Sequence, residues 1–250
     1  MILAIDIGNT RTKVALFDQE ELVWVKSCPG EALEAQLQDW LAPLADEDLD
    51  AVGWARVGQS AHIEAYACWQ RFLPGIRLIP IQAATAGPIE NLYQTPHTLG
   101  VDRILSVIGA RYHHPDQAVL VIDAGTAITY DYSDAEGRYH GGGIAPGMYM
   151  RFKALHTFTA QLPFVQPTDT PPLLGRTTEQ SIQSGVINGL RAEVAGIISQ
   201  YEAQTKGYLQ VFLTGGDAYL FENHLKSLTF ADANLVLRGI FCHITQILAE

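Results

Sequence analysis

The stretch LAIDIGNTRT, Leu3–Thr12, decides the fold because it occurs twice. LVIDAGTAIT, Leu120–Thr129, aligns with it without a gap, 117 residues further on. Leu3/Leu120, Ile5/Ile122, Asp6/Asp123, Gly8/Gly125 and Thr12/Thr129 are identical pairs. Repetition of this kind marks a duplicated structural unit. Each copy is an apolar run ending in Asp-x-Gly, followed by a second β-like segment, KVALF in one case and AITYDY in the other. Strand, tight glycine turn and strand read as a β-hairpin. A carboxylate buried in such a run without a partner is costly. Asp6 and Asp123 therefore either cap their turns as Asx-turn residues or face a cation or a phosphate-bound metal.

Outward from the repeats, the spacing turns helical. EALEAQLQDWLAPL (Glu31–Leu44) and RILSVIGARYHH (Arg103–His114) carry helical patterns that stop near Pro43 and Pro115. TTEQSIQSGVINGLRAEVAGIISQYEAQ (Thr177–Gln204) places Ile182, Val186, Leu190, Val194, Ile197 and Tyr201 on one face of a continuous helix. Thr177 and Gln180 have capping-box spacing at its start, and Gly185 and Gly189 are expected to serve close helix packing. PFVQPTDTPP, Pro163–Pro172, reads as a loop. The expected fold is α/β: two halves, residues 1–116 and 117–250, each a mixed sheet with flanking helices.

Composition excludes several classes. An apolar content of 48% and a charged content of 17% describe a globular chain. A formal net charge of −11 argues against a nucleic-acid partner, which needs a basic surface. Cys28, Cys68 and Cys242 are too scattered for a disulfide framework or a zinc site. No run approaches the roughly 20 apolar residues of a membrane span, and nothing at the N-terminus reads as a signal peptide, so a cytoplasmic protein is expected. His113, His114 and Asp116 are read as a helix end, where histidines suit the dipole.

Three glycine turns follow apolar strands: IDIGNT, VIDAGTA and VFLTGGDA. Glycine lets backbone amides approach a phosphate and form an anion nest. Neither GxxxxGK[ST] nor GxGxxG is present. In a nucleotide site of this kind Asp6 would hold Mg²⁺ near Lys13, while Asn9, Thr10 and Thr12 would donate to phosphate oxygens. In NLYQTPHTLGVDRILSV (Asn91–Val107), Gly100-Val101-Asp102-Arg103 falls where a loop becomes a helix. An Asp beside an Arg there supplies a base and an anion anchor. The alternative from these residues alone is a capping Asp with a surface Arg.

The Asp-x-Gly hairpin in both halves, with a late strand ending Thr-Gly-Gly, resembles the acetate and sugar kinase, Hsp70 and actin superfamily, in which ATP lies between two ribonuclease-H-like domains. The ordered set DIGNTRTK, YxxPxxLGxDR, DAGTAIT, GGGIAPG, TTEQSIQSG and LTGGD is similar to type III pantothenate kinase and spans Asp6 to Asp217. The resemblance implies ATP-dependent phosphorylation of pantothenate, with Asp102 as catalytic base. It implies ATP contacts at Asp6, Ile7, Gly8, Asn9, Thr10, Arg11, Thr12, Lys13 and Thr126, and an adenosine-side motif at Val211–Asp217. Pantothenate contacts fall on Tyr93, Gly100, Val101, Asp102, Arg103 and Thr178. Asp123 becomes the ligand of a monovalent cation, K⁺ or NH₄⁺, with Mg²⁺ accompanying ATP. A homodimer that completes the pantothenate site at its interface is also implied. One departure stands out: AVGWARVG (Ala51–Gly58) replaces a Ser-Val-Val-Pro-like segment, so the first half is expected to be trimmed or locally rearranged there. The rival readings are another small-molecule kinase or phosphohydrolase of the superfamily, and a non-catalytic regulatory protein on the same scaffold.

Overall fold

A computed structural model describes residues 1–8, 11–29, 32–42, 49–57, 73–205, 207–221, 224–225 and 229–250. The chain forms two compact units, Met1–His113 with Asn234–Glu250, and His114–Ala233. The expected second half ran to residue 250. Instead, the last helix, Leu235–Ala249, belongs to the first unit, for a packing reason given below.

In the first unit, β1 (Ile2–Ile7), β2 (Arg11–Asp18) and β3 (Glu21–Pro29) form an antiparallel meander. Helix α1 (Leu33–Leu41) follows, then β4 (Ala51–Arg56) and β5 (Arg77–Pro80), giving the order β3-β2-β1-β4-β5 with β4 and β5 parallel to β1. The segment expected to be rearranged is thus a regular strand beside β1 as far as Arg56; Gly58 lies outside the described residues. A two-residue strand, β6 (Glu90–Asn91), and helix α2 (Val101–His113) complete this part.

Alternation along the strands sorts the faces. Leu3, Ile5 and Ile7, with Val14 and Leu16, pack on Leu33, Leu37 and Trp40 of α1. The opposite face is built from Ala4, Ala15 and Gly53, small residues that admit the C-terminal helix. A Cβ on Gly53 would lie 2.5 Å from Ile244, and Phe17 stacks on Phe241 with ring centroids 4.6 Å apart. That helix meets α2 through a reciprocal glycine contact: a Cβ on Gly109 would lie 2.1 Å from the Leu235 carbonyl, and one on Gly239 2.0 Å from the Leu105 carbonyl. Leu235, Leu237, Ile240 and Ile244 are fully buried here. The first unit therefore has no closed core without residues 234–250.

The second unit repeats the plan: β7 (Ala118–Ala124), β8 (Ala127–Ser133) and β9 (Arg138–Pro146) are antiparallel. Helix α3 (Met148–Thr157) and helix α4 (Thr178–Gln183) come next, then a π-turn at Ser184–Asn188 and helix α5 (Gly189–Gln204). Strands β10 (Leu209–Thr214) and β11 (Thr229–Ala231) run parallel to β7, and the strands that belong to this unit stand in the order β11-β10-β7-β8-β9. Strand for strand this is the topology of the first unit.

The long helix expected over Thr177–Gln204 is interrupted by the π-turn. Its buried stripe runs Ile182, Val186, Leu190, Val194 and Ile198, a strict four-residue step that drifts around an ideal α-helix. The wider π-turn absorbs part of that drift, which is why Ile198 is buried and Ile197 only partly so. The capping residue is as expected: Thr177 Oγ1 accepts from the Gln180 N–H at 3.2 Å. Gly185 and Gly189, expected to serve close packing, correct that reading, because a Cβ on either would meet nothing within 4 Å.

Candidate functional site

The first turn begins where β1 ends. Asp6 pairs across the hairpin with Lys13, and both are half-buried on the face that also carries Ala4. The Gly8 N–H donates to the Arg11 carbonyl at 3.1 Å and closes the turn. Asn9 and Thr10 lie outside the described residues. Thr12 points the other way, between Ile7 and Cys28; it is fully buried and its hydroxyl has no hydrogen-bond partner among the described residues. Arg11 is exposed and donates to Ser27 through Nε at 2.9 Å. Among the described side chains expected at the phosphates, Lys13 is the one directly opposite Asp6.

The second turn differs by one residue. Asp6 faces Lys13, so a gapless repeat would set Asp123 against Tyr130; instead Asp123 faces Thr129, and Ala124 faces Ile128. The Gly125 N–H reaches the Ala127 carbonyl at 3.0 Å, one residue nearer than in the first copy. The pairing of Thr12 with Thr129 is therefore not structural: Thr129 occupies the place of Lys13. A cation beside the first aspartate becomes a neutral hydroxyl beside the second.

Other backbone closes around Asp123. It pairs with Thr214 of β10, and Gly215 follows with φ of +92°, a conformation that favours glycine. A Cβ on Gly215 would lie 2.4 Å from an Asp123 carboxylate oxygen. Gly147, after β9, abuts the same turn: its N–H donates to the Thr126 carbonyl at 3.1 Å, and a Cβ there would lie 2.2 Å from the Gly125 carbonyl. Asp217, whose N–H binds the Ala124 carbonyl, has its carboxyl pushed upward by burial. A carboxylate with hydroxyl neighbours is the donor type that could hold a hard cation. Thr126 is exposed at the tip.

The Gly100–Arg103 segment sits at the start of α2. Asp102 Oδ1 accepts from the Arg103 N–H at 2.9 Å. Its carboxylate folds back over Gly100, where a Cβ would lie 2.5 Å from that oxygen. Arg103 is not a surface residue: it is 6% exposed and its guanidinium lies 5.9 Å from the Tyr93 ring. A cavity of about 430 Å³ reaches the start of this segment, lined by Ile81–Ala84 and by Pro96–Val101, with Arg56 and Val57; Tyr93, Asp102 and Arg103 are not part of its lining. A carboxylate, a buried guanidinium and an aromatic ring can position a small polar acid and accept a proton from it.

Thr178 lines a separate, wider cavity of about 1010 Å³ in the second unit, with Arg151, Arg176, Thr177 and Ser181. Sequence reasoning missed its organiser. Arg151 donates to the Pro146 carbonyl at 2.8 Å and to Glu193 Oε1 at 2.8 Å, and the Tyr130 hydroxyl reaches the same oxygen at 3.3 Å. Burial, then the neighbouring Glu193, raises the Tyr130 phenol. Asp131, fully buried and bonded by Tyr139 at 2.6 Å, was also missed: alternation in AITYDYS sets it on the face opposite Ile128 and Tyr130, and no sequence signal marks that face as covered. Among the described residues no group of three His, Cys, Asp or Glu could hold a metal ion, and no helix is long and apolar enough to cross a membrane.

The family model for type III pantothenate kinase matches residues 2–200. A type III pantothenate kinase from Phocaeicola vulgatus is 43% identical over 243 residues, 96% of each chain. The chain belongs to the type III pantothenate kinase family. Another type III pantothenate kinase, from Bacteroides fragilis (strain YCH46), is 40% identical over 240 residues, again 96% of each chain. Solved structures carry the likeness further at the level of fold alone. A Campylobacter jejuni protein described as a Baf family transcriptional activator superposes with a TM-score of 0.62 at 20% identity, covering 99% of this chain and 100% of that one. The activator of 2-hydroxyisocaproyl-CoA dehydratase from Clostridium difficile, with bound ADPNP, gives 0.55 at 14% identity, over 99% and 96%. The two units of this pantothenate kinase family member, with their matching strand orders, agree with two ribonuclease-H-like halves.

Proposed function

We propose that the chain transfers the γ-phosphoryl group of ATP to the primary hydroxyl of pantothenate, giving 4'-phosphopantothenate, the first step of coenzyme A synthesis. Membership of the family supports the reaction. The observation that carries the residue assignment is the start of α2, where the Asp102 carboxylate and the buried Arg103–Tyr93 pair follow directly on Gly100 and Val101, which line a cavity. Asp102 takes the hydroxyl proton, and Arg103 and Tyr93, with the backbone of Gly100 and Val101, hold the acid. Thr178 is a further substrate contact.

Asp6, Ile7, Gly8, Asn9, Thr10, Arg11, Lys13 and Thr126 are assigned to ATP, Lys13 as the charged member. Thr12 acts from the interior by fixing the strand. Mg²⁺ bound with ATP neutralises triphosphate charge, and Asp6 is the carboxylate that would hold it. Mg²⁺ commonly takes one or two carboxylates plus phosphate oxygens. Asp123 is assigned the K⁺ or NH₄⁺, where Thr129 stands in place of the lysine of the first copy and Thr214 in place of Ala55. Transfer of this kind rests on positioning and electrostatics and needs no covalent intermediate. The working form is a cytoplasmic homodimer. ADP release dependent on pantothenate, measured with and without potassium, tests the reading; ATP turnover indifferent to pantothenate would overturn it.

A further inference from the structure

Between β5 and α2 the chain runs as a strap over residues 82–93. Its middle is tied to the C-terminal helix: the Gly87 N–H donates to His243 Nδ1 at 3.2 Å, and His243 is 7% exposed. Its end is tied by one amide used at both ends. Asn91 Oδ1 accepts from the Tyr93 N–H at 3.0 Å, and Asn91 Nδ2 donates to the Ala83 carbonyl at 3.2 Å. An N–H on one side and a C=O on the other admit only this orientation of the amide. Ala83 belongs to one wall of the 430 Å³ cavity, and Tyr93 underlies Arg103, next in sequence to Asp102. Asn91 therefore joins the wall to the ring.

We infer that Asn91 is a positioning residue for the acceptor substrate, fixing Tyr93 and the Ile81–Ala84 wall relative to each other. The inference rests on the reading of Tyr93 and Gly100–Arg103 as the pantothenate side. Aspartate at this position offers only acceptors and would set an oxygen against the Ala83 carbonyl; alanine makes neither bond. Because His243 holds the strap independently at Gly87, losing the Asn91 amide removes one tether of the Tyr93 end without freeing the whole segment.

The test is steady-state kinetics of the full chain with pantothenate and ATP varied separately, beside thermal unfolding. Asn91→Ala raises the KM for pantothenate about tenfold, as expected when two hydrogen bonds to backbone are lost, with the KM for ATP held within about twofold. Asn91→Asp, of the same size, raises the pantothenate KM as well. In a Tyr93→Ala background, Asn91→Ala adds less than about twofold, because the two act in series. A merely structural role predicts instead a lower Tm and equal losses for both substrates. That outcome overturns the proposal, as does a wild-type pantothenate KM in either Asn91 variant. An unchanged pantothenate KM in Tyr93→Ala overturns the acceptor-site reading and this inference with it. A raised KM there with none in Asn91→Ala overturns this inference alone.

Discussion

Gly147→Ala isolates the contact between the β9–α3 junction and the Gly125–Thr126 turn. The new Cβ would start 2.2 Å from the Gly125 carbonyl oxygen and 2.5 Å from that of Thr126. A carbon and a carbonyl oxygen settle at about 3.3 Å, so one side must retreat by about 1 Å. Gly147 has φ of −67° and ψ of 171°, which alanine adopts without strain, so the effect is displacement and nothing else. The 3.1 Å bond from the Gly147 N–H to the Thr126 carbonyl opposes that retreat and is weakened by it. Misplacing by about 1 Å a turn proposed to contact the nucleotide can cost about 10² in rate, and overpacking costs about 1–3 kcal/mol of stability. Coupled assay of ADP release should therefore show kcat/KM for ATP falling by about two orders of magnitude, with a Tm lower by several degrees. Gly196→Ala is the control: nothing lies within 4 Å of its Cβ, and it sits inside α5. It should leave activity intact and stabilise by up to about 1 kcal/mol. Wild-type kcat/KM in Gly147→Ala would refute the claim that this turn is held in place for the nucleotide.

Asp102→Asn should lower turnover by about 10²–10⁴ while ATP binding, followed by calorimetry, survives. Gly239→Ala pushes a methyl group onto the Leu105 carbonyl at 2.0 Å, and should lower stability by about 1–3 kcal/mol or more in chemical denaturation without a selective effect on either KM. Asp134 is raised by burial but lowered further by bonds from His140 and Arg138, which bring its pKa down to about 2. A depressed folded-state value means its contribution is present above the unfolded pKa near 4 and is lost as pH falls through 2. The stability difference between wild type and Asp134→Asn should accordingly shrink between pH 4 and pH 2 in urea titrations. Replacing potassium by sodium should depress the rate of wild type and have no further effect on Asp123→Ala.

The hairpins, the doubled plan and the start of α2 were all legible, because period-2 alternation, Asp-x-Gly turns and a loop-to-helix junction are local signals. What escaped notice depends on distant partners. Gly185 and Gly189 have the spacing of a packing motif, yet only the surroundings decide whether a glycine is covered, and these two face open space. Arg151 and Glu193 carry no motif; the folding of α3 against α5 makes them a pair. Asn91 looks like any residue before a turn until Ala83 arrives beside it. The one-residue difference between the turns was hidden because the letters align best without a gap, while hydrogen-bond register obeys turn length.

The return of residues 234–250 to the first unit has a consequence for synthesis. A chain emerging from the ribosome presents β1–β5 and α2 long before the segment that covers Ala4, Ala15, Gly53 and Gly109 exists. The second unit, contiguous in sequence, holds all its own material by Ala233 and can consolidate first, against the usual N-terminal-first order. Until residues 234–250 have emerged, the earliest-made sheet keeps one apolar face uncovered. Nascent-chain proteolysis should find residues 1–113 cleavable until residues 234–250 are exposed, and a chaperone that shields apolar β-surface is the natural companion of that interval.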